Sequence, residues 1–161
     1  MSKADELAEK LKQSRQTSAD ATIADQAIDS WPAQVYELYH QIETWLQPLI
    51  EVGLKLRRNS THVFERAPDG ASYDYAIDQL LIEGNHHSIT FDPVARFTAD
   101  GAGRVEIRSA DKELAHLLRT VTEHGETQWW LRAIEQSVQQ PDAVALTEHN
   151  LLSVVQEGLE L

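Results

Sequence analysis

The chain has 161 residues, enough for one domain with a sizeable core and too few for two independent ones. It contains no cysteine, which excludes disulfide frameworks, thiolate metal sites and thiol nucleophiles together. Against 26 Asp and Glu stand 14 Lys and Arg, and the net charge of −12 argues against a nucleic-acid backbone or an anionic membrane as the main partner. The opening residues Met1 to Leu7 are charged and lack the apolar run of a secretory leader, so the expected location is the cytoplasm.

Taken in order, Ala4, Leu7, Ala8 and Leu11 form a short apolar stripe at helical spacing. Residues 1–22 thus read as a helical arm, frayed into a polar connection over 13–22. The strongest signal lies in 30–53. Ser30 is a natural N-cap, Pro32 falls in the first turn, and Val35, Leu38, Tyr39, Ile42, Trp45, Leu46, Leu49 and Ile50 repeat at three and four residues. Gly53 is a plausible stop.

Residues 54–108 read as antiparallel sheet. Leu54 and Leu56 alternate with Lys55 and Arg57, and a polar connection leads to Val63-Phe64. Pro68-Asp69-Gly70 is a turn, and Tyr73 to Glu83 is a long strand. Gly84-Asn85 reads as a two-residue hairpin turn into His86 to Phe91. Arg96-Phe97-Thr98 and Val105-Glu106-Ile107 are further strands. Tyr73, Tyr75 and Ile77 share one parity while Leu80 and Ile82 have the other, which predicts a β-bulge near Asp78-Gln79. The outward face then carries Asp74, Leu81, Glu83, His86, Ser88 and Thr90.

Residues 109–161 read as helix. Leu114, Leu117, Leu118 and Val121 follow a cap at Ser109, and Trp130, Leu131, Ile134 and Val138 run to Pro141. Thr147 caps a last stripe of Leu151, Leu152, Val155 and Leu159. The expected fold is α+β, one domain over 1–161: N-terminal helices, an antiparallel meander of five or six strands, and C-terminal helices packed on it.

Little chemistry is written in local motifs. Of the seven histidines, His86 and His87 with Asp92 form the nearest cluster, but adjacent strand residues point to opposite faces, so no metal or other cofactor is expected. No Gly-x-Ser-x-Gly elbow is present, and the Gly101-Ala102-Gly103 segment lacks the lysine of a phosphate loop. Lys55, Arg57, Arg58 and Arg66 read as charged decoration of an edge strand. The chain thus points away from an enzyme. Residues 1–58 hold 9 acidic and 7 basic groups, whereas 59–161 hold 17 and 7, so the acidity belongs to the second part.

Two functional classes follow. The first is a non-catalytic acidic module that neutralises or escorts a protein partner, one that carries basic charge, as immunity proteins, antitoxins and secretion chaperones do. Its candidate contacts are Trp129, Trp130, Asp74, Glu83 and His86, and the Leu7/Leu11 arm is a contact for a partner or a second copy of the chain. The second is a small-molecule-binding or enzymatic domain with a pocket between sheet and helices, using Tyr73, Tyr75, His87 and Asp92.

Overall fold

A computed structural model describes residues 2–99, 101–110, 112–134 and 142–161, and for residues 12–22 the backbone alone. Its elements are α1 (Lys3–Ile50), β1 (Lys55–Arg66), β2 (Ser72–Gly84), β3 (His87–Ala95), β4 (Arg104–Ser109), β5 (Lys112–Val121), β6 (Thr127–Ala133), β7 (Val144–Ala145) and α2 (Glu148–Gly158). The strands form one antiparallel sheet in the order β1-β2-β3-β4-β5-β6-β7. The fold is α+β as expected, with seven strands among the described residues in place of five or six. Among the described residues no helix is long and apolar enough to cross a membrane.

A single helix replaces the arm, connection and second helix expected over 3–50. The backbone stays helical through 13–22, Ser2 is the cap, and Ser30 and Pro32 lie inside the helix. Ser30 bonds back to the Ala27 carbonyl instead of capping. Propensity explains the continuity: the connection holds no Gly or Pro, so nothing in it breaks a helix. Gly53, at φ +114, ends the turn that follows α1. The apolar stripe behaves as its spacing requires, with Trp31, Val35, Leu38, Tyr39, Ile42 and Leu46 buried against the sheet.

The largest correction concerns 109–138. Its first two stripes are strands β5 and β6, and the sheet continues to residue 145; Val138 and Pro141 lie outside the described residues. Leu114, Leu117 and Leu118 imitate helical spacing because Leu114 sits in a β-bulge and Leu118 is buried on the opposite face from Leu117. Of the expected C-terminal helices, α2 alone is present among the described residues. Its Thr147 cap makes the reciprocal capping box with Asn150.

Three smaller differences have clear causes. The β2–β3 turn is Asn85-His86, both in the left-handed region, while Gly84 stays in the strand. Asn and His tolerate that region, and a Cβ on Gly84 would lie 2.8 Å from Leu54 Cδ1. The pairing is therefore Leu80 with Phe91 and Ile82 with Ile89. Residues 96–98 form an irregular segment in place of a strand, with only a Thr98–Gly101 bridge. Finally, the β1–β2 ladder runs regularly through Asp78 and Gln79, so the expected bulge is absent.

The change of buried face instead coincides with the point where β2 leaves β3. Pairing with β3 ends at Leu80–Phe91, and β1–β2 continues alone as a two-stranded ribbon. Such ribbons twist more than wider sheets. Helix α1 satisfies the backbone exposed at the fork: Tyr39 Oη donates to the Asp78 carbonyl at 2.8 Å, and the Asp78 N–H donates to Tyr36 Oη at 3.1 Å.

Candidate functional site

The sheet's inner face is sealed. Ile82, Ile89, Phe91, Val105, Ile107, Ala115 and Leu117 pack with the buried residues of α1 and α2 in one apolar cluster, each fully buried. Gly103 lies so close to α1 that a Cβ there would sit 2.4 Å from the Trp31 ring.

The opposite face carries a polar row across six strands: Asn59, Gln79, Asp92, Glu106, His116 and Arg132. Asn59 donates to Gln79, Gln79 donates to Asp92 at 3.0 Å, and Asp92 also holds Arg108 at 2.6 Å. Beside this row, Leu118 is buried between its cross-strand neighbours Arg104 and Trp130.

Within the row the groups converge at one place. His116 Nε2 lies 3.1 Å from Glu113 Oε1 and 3.6 Å from Glu106 Oε2. Only 12% of the His116 side chain and 16% of Glu106 remain exposed. The arrangement depends on the β4–β5 bulge. The turn opens in the register Ser109–Lys112 and Arg108–Glu113; carried on unchanged, that register would place Glu106 opposite Ala115 and turn His116 toward the core. The extra residue at Leu114 brings His116 opposite Glu106, on the face that already holds Glu113. Burial, followed by contact with Glu113, raises the Glu106 pKa, while hydrogen bonds from His116 and Glu106 lower that of Glu113.

The residues singled out from the sequence do not meet in one site. Asp74 and Glu83 lie nine residues apart on β2, about 30 Å along the strand. Each has a cross-strand partner, His62 and Arg57 respectively. Trp129 faces α1 and lies against Trp31, with ring centroids 6.1 Å apart, whereas Trp130 is on the other face and donates to Thr120. His86 sits exposed in its turn, and neighbouring His87 pairs with Glu160 at 2.9 Å. Asp92 belongs to the helix-free face.

Tyr73 and Tyr75 do come together, on the ribbon face toward α1. Tyr73 donates to Asp25, which pushes its pKa up to about 12, and its ring stacks near Phe97. Tyr75 donates to Glu65, whose carboxylate also accepts the Arg96 and Phe97 N–H groups. A cleft of about 380 Å³ opens nearby between α1 and the 67–70 turn, walled by Ile23, Ala24, Ala27, Pro68 and Phe97 with Arg96 and Asp69 at its edge.

Of the basic residues, Arg57 lies on the edge strand as expected, but Arg58 packs on α1, 5.1 Å from the centres of both the Tyr36 and Tyr39 rings and 3.5 Å from Glu43. Sequence reasoning missed Glu106, Glu113 and His116 altogether. Their only local trace is the i, i+3 pair Glu113/His116, which a helical reading absorbs without comment. No family model, curated protein or solved structure matches the chain.

Proposed function

We propose that the protein is a non-catalytic binding module whose acidic body and projecting helix engage a basic protein partner. The observation that carries this reading is the first part of α1. At about 1.5 Å per residue, its 48 residues run to roughly 70 Å, far longer than the strands it covers. Among the described side chains of α1, buried core contacts begin at Ala24. Before that point Leu7, Leu11 and Ile23 are 56%, 61% and 65% exposed. An apolar helical stripe of this kind is suited to a groove in another protein. The 17 acidic against 7 basic groups of 59–161 add a field that steers a basic partner and makes its capture salt-sensitive. The close packing of the central strands against α1 and α2 weighs in the same direction, since the space a pocket there would need is filled.

The test compares wild type with Leu7→Asp/Leu11→Asp in affinity capture from the native host at low and high salt. A stoichiometric basic protein is expected with wild type at low salt only, and not with the variant. Recovery of the same protein by both forms overturns the reading. So does light scattering that shows a wild-type dimer abolished by the variant, which assigns the stripe to self-association.

A second reading, a small-molecule site, is favoured only by the cleft beside Phe97 and Arg96. Apolar walls with one guanidinium suit a short-chain carboxylate. Thermal shifts with a series of such acids, lost in Arg96→Gln, are its test.

A further inference from the structure

We propose that Glu106, Glu113 and His116 form a binding site for a first-row divalent metal ion, with zinc the best match. The site is independent of the partner-binding role. Three chemically different observations point to it.

The first is geometry. One donor atom from each residue lies within 4.8 Å of the other two. Zinc held by imidazole nitrogen and carboxylate oxygen at about 2.0 Å in tetrahedral array sets its ligands about 3.3 Å apart. The separations of 3.1 and 3.6 Å from His116 Nε2 bracket that value. Small side-chain rotations suffice to receive the ion.

The second is the unmet demand of the cluster. Two carboxylates converge on a single imidazole nitrogen, at 3.1 and 3.6 Å. His116 Nε2 carries at most one hydrogen, which can serve one carboxylate fully and leaves the other short. A divalent ion serves both and uses the nitrogen lone pair. Arg108, opposite Glu113 across the ladder, is itself held by Asp92 at 2.6 Å.

The third is construction. The ligands stand on adjacent central strands, and the one irregularity in that pairing is the bulge that turns Glu113 and His116 to the same face. Bulges re-aim side chains in this way beside functional sites. The donor set selects the metal: an imidazole disfavours magnesium and calcium, and carboxylates in place of thiolates disfavour soft ions. Three protein ligands leave a fourth position open on the helix-free face for water or for a donor from a bound molecule.

The experiment is isothermal titration of the full chain with zinc chloride after removal of metals by EDTA. Wild type is expected to bind one ion per chain saturably, with weaker binding at lower pH as the ligands take up protons. His116→Ala and Glu113→Gln are each expected to weaken binding at least about 100-fold. His124→Ala/His149→Ala, which removes exposed imidazoles elsewhere, leaves it unchanged. Cobalt bound to wild type should show the intense visible bands of a four-coordinate site, absent in both ligand variants. Glu113 is largely exposed, so its substitution tests the site even where His116→Ala disturbs folding. Failure of wild type to bind saturably, or undiminished binding by Glu113→Gln with its circular dichroism intact, overturns the proposal.

Discussion

Tyr39→Phe isolates the contact that holds the sheet's fork to α1. The ring is fully buried, and phenylalanine keeps its packing, so the change removes only the hydroxyl. That hydroxyl donates to the Asp78 carbonyl at 2.8 Å and lies 3.4 Å from the Phe91 carbonyl. These are the carbonyls of two strands at the place where β2 parts from β3. Without the hydroxyl, a carbonyl that has no ladder partner on that side stays desolvated. A buried acceptor left unsatisfied costs about 2 kcal/mol. For a protein of this size that lowers the melting temperature by roughly 4–8 °C. Urea titration followed by circular dichroism should show a lower midpoint with an unchanged slope, because the surface exposed on unfolding is the same. Tyr36→Phe removes the acceptor of the Asp78 N–H, and the double variant should lose less than the sum of the single losses, since both act on one peptide unit. A Tyr39→Phe protein melting within about 1 °C of wild type would refute the role assigned to the hydroxyl.

Glycine replacements should separate crowding from backbone conformation: Gly103→Ala, at φ +140 and 2.4 Å from the Trp31 ring, is expected to cost more than about 3 kcal/mol. Gly125→Ala, at φ +80 with open space around it, is expected to cost only about 1 kcal/mol; equal melting temperatures for the two would contradict this account. Glu65→Ala strips the acceptor from the Arg96 and Phe97 N–H groups and should raise the hydrogen exchange of those two amides at least about tenfold, while exchange at Phe91 is unaltered. At high pH, burial of Tyr39, burial and Glu65 for Tyr75, and the Asp25 hydrogen bond for Tyr73 hold these phenols above their ordinary value of 10.0. The unfolded chain therefore releases protons first, so this stabilisation is complete below pH 10 and lost as pH rises beyond it, toward the folded values. Absorbance titration of native and urea-unfolded protein should show fewer tyrosinates in the native form at pH 11.

What the sequence reveals depends on how many faces of an element are buried. The stripe from Val35 to Leu46 and the Thr147-capped helix each bury one face, so their period is unambiguous. Strand β5 buries Leu117 on one face and Leu118 on the other, which erases the alternation that marks a strand. The β-branched Thr120-Val121-Thr122 run, the Gly125 turn and the aromatic Trp129-Trp130 pair carried the strand signal there instead. The Asn85-His86 turn was obscured by Gly84, a residue small because of Leu54 rather than because of a turn. The Glu106, Glu113 and His116 cluster was hidden for a different reason. It exists only through the one-residue offset at Leu114, and no spacing rule for regular strands or helices places those three together.

The order in which the sheet is threaded bears on how the chain is made. Every strand pairs with its neighbour in sequence, so each hairpin can close soon after it leaves the ribosome. Helix α1 is the exception: it is synthesised ahead of everything it packs on. Tyr39 must wait 39 residues for Asp78 and 52 for Phe91. At about 5–20 residues per second, the Trp31 to Leu46 stripe stays uncovered for several seconds on each nascent chain. Synthesis rate and chaperone supply during that interval should therefore govern the yield of folded protein more than the stability of the finished sheet does.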